Sequence, residues 1–309
     1  MIGPSERKSR GADRRDLPVV SYANPEDPFL RRASIGLIET LTGKRRIKGL
    51  YHAYHLRGDK SRPFWSEALR RLEIDVSFDA TPLAQVPRVG PLVVVANHPF
   101  GVIDGIILCD LVAGVRADFK ILAHEVLYRA PEVRGVLLPV SFTGTREARQ
   151  NNVDTCRSAL GHVRLGGALI IFPAGGVSTA RRVFGRATDL PWKLFAAKLI
   201  TASRATVLPV CFEGQNSWMF HAASHIGETY REALLIKEAV RRIGSRVHLR
   251  IGTPLPFDRL RHRDDPQALL DSLRAVTYGL LDRSRPNDTG GGWDEPFEDC
   301  FRESAPHLG

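Results

Sequence analysis

Cysteine is scarce in this chain: Cys109, Cys156, Cys211 and Cys300 are the four in 309 residues. They lie far apart with no C-x-x-C pair, and three sit in apolar surroundings. That pattern excludes a disulfide framework and a cysteine zinc site, and reads as buried thiols of a reducing compartment. Long apolar runs are lacking too. No window supplies the roughly 18 uncharged apolar residues that a spanning helix needs, and the nearest, Leu92 to Val115, is broken by Asn97, His98, Pro99, Asp104 and Asp110. The opening MIGPSERKSRGADRRD carries charge without an apolar core of signal-peptide length, so no secretory leader is expected. A zinc-finger spacing, an RNP-like aromatic motif and an obvious helix-turn-helix are missing, which argues against a nucleic-acid partner. His52 with His55 and His221 with His225 have helix-face spacing but no H-E-x-x-H glutamate or nearby third ligand, so no metal is expected.

What the chain has is positive charge: 44 Lys and Arg against 34 Asp and Glu, a net +10. Such a surplus favours anionic partners, among them an anionic membrane surface or a phosphorylated ligand. At 43% hydrophobic and 25% charged, the balance is that of a globular chain with a sizeable core.

Residues 1–26 are polar and proline-punctuated and read as a disordered arm. Residues 27–73 read as an N-terminal helical region. Within 27–56 Phe29, Leu30, Ile35, Leu37, Ile38, Leu41, Ile47, Leu50, Tyr51 and Tyr54 recur at roughly helical spacing among basic residues, with a break near Thr42-Gly43. This basic amphipathic pair either docks on a membrane surface or packs on the domain. A short helix follows over Pro63–Leu72. Residues 74–283 then alternate strands (Ile74–Phe78, Leu92–Ala96, Phe119–Ala123, Gly135–Val140, Ala168–Phe172, Thr206–Phe212, Val247–Ile251) with helices (Gly105–Ala113, Asn151–Arg164, Trp192–Arg204, Arg231–Ile243, Pro266–Arg283). The alternation and the continuous Val/Ile/Leu runs predict a single α/β domain with a largely parallel central sheet flanked by helices. Residues 284–309 read as a flexible acidic tail.

Three strand ends carry the chemistry. After Leu92–Ala96 comes Asn97-His98-Pro99-Phe100-Gly101 and then Asp104. Ligands of α/β sheets collect at the carboxyl ends of strands, and a carboxylate near an imidazole fixes its tautomer and leaves the other nitrogen as a base. Taken alone, His98 reads more readily as a structural loop histidine whose nitrogens are satisfied by carbonyls. The second is GGALIIFPAGGVSTARR, residues 166–182, where Gly175, Gly176 and Ser178 offer backbone N–H groups to an oxyanion, or form an ordinary turn; Arg181 and Arg182 follow. The third, TVLPVCFEGQNS, residues 206–217, brings Glu213 and Asn216 as candidates for a site wall.

Taken in this order, Asn97-His98…Asp104, Phe172-Pro173-Ala174-Gly175 and Val207-Leu208-Pro209-Val210 resemble the glycerolipid and lysophospholipid acyltransferase superfamily over about residues 27–255. The chain looks closest to its bacterial hemolysin-like branch, which includes acyltransferases of ornithine and related aminolipid synthesis and writes its motifs N-H-P-F-G-x-x-D/E, F-P-A-G-x-V-S and E-G-x-N-S. It departs from the glycerol-phosphate pattern in two ways. Five residues separate His98 from Asp104, with Ile103 where the usual aspartate would fall, and the second motif has Ala174 for glutamate and lacks the following arginine, for which Arg181 or Arg182 would stand in.

The resemblance implies an O-acyltransferase with His98 as general base and Asp104 orienting it. It implies substrate contacts from Asn97, Phe100, Gly101, Phe172, Pro173, Gly175, Gly176, Ser178, Arg181, Arg182, Glu213 and Asn216. No cofactor is bound on this reading. Acyl-CoA or acyl-ACP is the donor, and a lyso-lipid other than lysophosphatidic acid, such as a lyso-ornithine or other aminolipid, is the acceptor. The protein would then sit in the cytoplasm, peripherally on the inner face of the cytoplasmic membrane.

Overall fold

The five side chains of Leu92–Ala96 (β2) are completely buried, and they alternate between two cores. Leu92, Val94 and Ala96 point into one, Val93 and Val95 into the other. Helices on both faces of a sheet produce this pattern, because a strand without a solvent face has no position for a polar residue. The structure, a computed structural model, describes residues 43–59, 61–143 and 145–282. The predicted arm (1–26), residues 27–42 of the helical region and the acidic tail (284–309) lie outside the described residues.

The strands are β1 (Asp75–Ser77), β2, β3 (Phe119–His124), β4 (Leu137–Val140), β5 (Ala168–Ile171), β6 (Thr179–Ala180), β7 (Ala187–Thr188), β8 (Thr206–Phe212) and β9 (Arg246–Ile251). Seven form one sheet in the order β1-β9-β8-β2-β5-β3-β4, and β6 and β7 form a separate hairpin. The helices are α1 (Lys44–Arg57), α2 (Phe64–Arg71), α3 (Thr81–Ala84), α4 (Val102–Ala113), α5 (Arg146–Arg164), α6 (Leu194–Ser203), α7 (Trp218–Ile226), α8 (Glu228–Arg241) and α9 (Pro266–Asp282). Leu69 of α2, Ile107 of α4 and Ala239 of α8 cover one face; Ala159 of α5, Ile200 of α6 and Leu273 of α9 cover the other.

The expected α/β domain with a largely parallel sheet is present, with one antiparallel pair, β8 with β9. Two helices, α7 and α8, join those strands where a parallel crossover uses one. An even number of passes returns the chain to the end from which it left, so β9 runs back along β8. The helix over 44–57 packs on the domain: Ile47 and Leu50 contact the core, and Tyr51 Oη donates to Glu132 Oε2 at 2.7 Å. No helix among the described residues is long and apolar enough to cross a membrane.

Candidate active site

Because β2 lies between β5 and β8 and parallel to both, its carboxyl end meets theirs. The three motif segments, far apart in sequence, are thereby neighbours. Asn97 fastens two of them: its Nδ2 donates to Phe212 O at 3.0 Å, and its Oδ1 accepts from Phe212 N at 2.7 Å. Through this pair of bonds Asn97, 4% exposed, clips β2 to β8, and it is not among the cavity-lining residues.

His98 follows, its ring stacked on Phe172 with centroids 3.8 Å apart and 21° between planes. Its Nδ1 lies 3.0 Å from Asp104 Oδ2. The five-residue gap is spanned because Gly101, at φ +73, turns the chain into α4 and caps it. That value is open to glycine and strained for other residues. The helix therefore begins at Val102, three residues before the sequence-based start, and Asp104 falls in its first turn. There its Oδ2 also accepts from Phe100 N (2.8 Å) and Gly101 N (3.1 Å), an arrangement the positive end of a helix dipole favours. Ile103, in the position of the usual aspartate, turns inward and is 1% exposed. Burial pushes the Asp104 carboxyl above the usual carboxylate range, while the hydrogen bonds from His98, Phe100 and Gly101 pull it back.

His98 opens onto a cavity of about 570 Å³. Its wall is apolar, with Phe64 and Trp65 of α2, Ile106 and Cys109 of α4, Ile121 of β3 and Leu137 of β4. Ile47 and Tyr51 of α1 close one side, which accounts for the apolar face of that helix.

Of the residues expected at the site, His98, Gly101, Phe172, Pro173, Gly175 and Gly176 line this cavity. Others are placed elsewhere. Phe100 is buried beneath the Arg242 guanidinium, 3.9 Å above its ring. Ser178 donates its hydroxyl to Asp189 Oδ1 at 2.5 Å. Glu213 pairs with Arg250 at 2.9 Å, and Asn216 is buried beside Glu238, Arg241 and Arg242 in a separate pocket. Arg181 and Arg182 are exposed and are not among the cavity-lining residues. The expected donors also divide: Gly175 N donates to Phe172 O at 2.9 Å and Ser178 N to His98 O at 2.8 Å, while the nearby Phe100 and Gly101 N–H groups are taken by Asp104. Gly176 N–H has no acceptor among the described residues.

Sequence reasoning missed Asp189. Its Oδ1 accepts from His98 N (3.2 Å) and Ser178 Oγ, and its Oδ2 from Trp192 Nε1 (3.0 Å). It holds the His98 loop against the Gly175–Ser178 turn, yet nothing in its sequence surroundings, A-T-D-L-P, marks it. Asp189→Ala leaves three donors unpaired, and we expect a stability loss of about 3 kcal/mol, read by denaturant titration. Lys193 was missed too. It lies at the cavity edge, its Nζ so close over Gly175 (φ +68) that an added Cβ would meet it at 2.6 Å.

The profile of a family described as Acyltransferase matches residues 52–284. The chain is 27% identical over 216 residues to a lyso-glycine lipid O-acyltransferase of Phocaeicola vulgatus, spanning 67% of this chain and 74% of that protein. It is 27% identical over 216 residues to the enzyme of the same description from Bacteroides thetaiotaomicron, spanning 67% and 76%. Among solved structures, a 1-acyl-sn-glycerophosphate (LPA) acyltransferase from Thermotoga maritima aligns over 84% of this chain and 98% of its own, at 17% identity and a TM-score of 0.47.

Proposed function

The chain belongs to this acyltransferase family, and from that premise we propose that it moves a fatty acyl group from an acyl thioester to a hydroxyl of a lyso-aminolipid. The observation that carries the proposal is the His98–Asp104 pair at 3.0 Å on the wall of a large apolar cavity. Asp104 accepts from Nδ1–H, which leaves Nε2 with its lone pair free to take a proton. Phe172 restrains the ring by stacking.

In the proposed reaction the acceptor hydroxyl gives its proton to Nε2 as its oxygen attacks the thioester carbonyl. The C–O bond forms, the C–S bond breaks, and the imidazolium returns the proton to the leaving thiolate. Asp104 stabilises the transient imidazolium. Gly176 N–H is the assigned donor to the developing oxyanion, being on the same cavity wall and uncommitted. No serine or cysteine nucleophile enters, in keeping with the engagement of Ser178 by Asp189.

The cavity takes the acyl chain, since an apolar wall of this extent offers little to a polar ligand. Two relatives named for lyso-glycine lipid support an amino-acid lipid as acceptor, as does Ala174, 2% exposed, where the glycerol-phosphate pattern has glutamate. We place the protein in the bacterial aminolipid branch, with acyl-CoA or acyl-ACP as donor, working on the inner face of the cytoplasmic membrane.

The reading is tested by following thioester loss and ester formation with and without a lyso-amino-acid lipid. Ester formation that requires the acceptor supports it. Acceptor-independent release of free fatty acid at the same rate would make the protein a thioesterase.

A further inference from the structure

Two neighbouring segments have no acidic residue: TARRVFGRAT, residues 179–188, and WMFHAASHI, which is α7. The first is the β6–β7 hairpin, a sheet separate from the main one that pairs Thr179 with Thr188 and Ala180 with Ala187 and is tied to Gln215 and His221 through its main chain. Its tip presents Phe184, 85% exposed, among the exposed Arg181, Arg182 and Arg186. In α7 the inner face buries Phe220, His221 and Ala223, while the outer face presents Trp218 at 55%, Met219 at 38% and Ile226 at 74% exposure. Positions 218, 219, 222 and 226 lie on one side of a helix. The Phe184 and Trp218 rings meet at 5.9 Å, so hairpin tip and helix face form one patch. A helix apolar on both faces belongs against something on each, and a patch of aromatics and long aliphatics marks an interaction site.

We propose that the hairpin tip and the outer face of α7 dock on an anionic lipid surface. Trp, Phe, Ile and Met enter the boundary between headgroups and acyl chains, where aromatic rings with a polar edge are favoured. Arg181, Arg182 and Arg186 meet the anionic headgroups. This assigns Arg181 and Arg182, displaced from the cavity, to the membrane instead. A second copy of the chain fits the patch poorly: a two-fold contact would set three arginines against three arginines with no acid in either segment to pair them.

The hairpin is joined to the candidate active site at both ends. Ser178 N donates to His98 O at 2.8 Å, and His98 N donates to Asp189 Oδ1 at 3.2 Å. The arm from Ser178 to Phe184 spans at most about 20 Å of extended chain. A tip seated in the headgroup region therefore holds His98 near the depth at which a lipid hydroxyl is presented. The proposal rests on the membrane placement proposed above, names the surface that carries it, and is tested without acyl chemistry.

The test is cosedimentation of the full chain with vesicles of phosphatidylcholine, with and without about one-third phosphatidylglycerol, containing neither thioester nor lyso-lipid. The native protein is expected to bind the anionic vesicles. Arg181→Gln, Arg182→Gln and Arg186→Gln each weaken binding about fivefold, and Phe184→Ser with Trp218→Ser weakens it at least about tenfold. Brominated lipid quenches tryptophan emission in the native protein and loses most of that effect in Trp218→Phe, a readout independent of whether the double variant folds. His98→Ala binds vesicles as the native protein does, so failure of the transfer reading and failure of this one are distinct. Vesicle binding unchanged by the Phe184 and Trp218 substitutions, no quenching through Trp218, or a dimer that the double variant dissociates without any vesicle binding would each overturn the proposal.

Discussion

His98→Ala should lower the turnover of acyl transfer about 10³-fold, the scale on which a positioned general base contributes, with little change in the melting temperature. The imidazole is partly buried, its ring stacks on Phe172 and its Nδ1 bonds Asp104. Its removal forfeits that stacking, on the order of 1 kcal/mol, and one of the three hydrogen bonds to Asp104 Oδ2, which keeps those from Phe100 N and Gly101 N, while the main chain of residue 98 keeps the bonds to Ser178 and Asp189. Rate and stability thus separate, and steady-state kinetics beside a thermal melt reads both. The apparent affinity for the thioester should hold, since the cavity wall is left intact.

The second large effect distinguishes two substitutions at Asp104. Asp104→Ala removes the acceptor for Phe100 N and Gly101 N as well as for His98. It should cost about 3 kcal/mol, from buried donors left unpaired, together with activity. Asp104→Asn keeps an oxygen for those N–H groups and removes the charge. Burial raises the Asp104 carboxyl above its ordinary value, so its charge adds little to stability, and a neutral replacement that keeps an acceptor oxygen is expected to leave stability at neutral pH nearly unchanged. Transfer should nevertheless fall about 10³-fold, because an amide neither secures the Nδ1–H tautomer nor offsets an imidazolium. The sign of the pH effect follows. A raised carboxyl favours the folded state most at low pH, and that contribution is lost as pH rises through the folded-state value. Native stability relative to Asp104→Asn should therefore increase on acidification while native activity declines. Denaturant titration across acid to neutral pH, paired with rates, tests both signs.

Much of this site is legible in sequence because strand ends are. Thr206–Phe212 and Leu92–Ala96 agree with observed strands residue for residue, since strands buried on both faces admit only apolar side chains and end sharply at polar turns. Their parallel pairing then brings the motifs together, as expected for the edge of an α/β sheet. Roles within the motifs are less legible. Asn97 reads in sequence as a ligand contact, and the fold uses it to join β2 to β8 through Phe212, a role that hydrogen-bonding capacity in sequence does not reveal. Asp189 lies outside any motif and engages His98 through the main chain, which leaves no spacing to detect. Helix α7 went unpredicted because WMFHAASHI is apolar on both faces and has no period. Its cue was Ser217, whose hydroxyl accepts from Phe220 N at 3.4 Å.

The central claim is that His98, held by Asp104, drives acyl transfer to a lipid hydroxyl. Its most direct measurement is mass spectrometry of lipid products after incubating purified protein with an isotope-labelled acyl thioester and a lyso-amino-acid lipid. The account predicts a labelled O-acyl product with the native protein and its near disappearance with a folded His98→Ala. Equal labelled product from both proteins would contradict it.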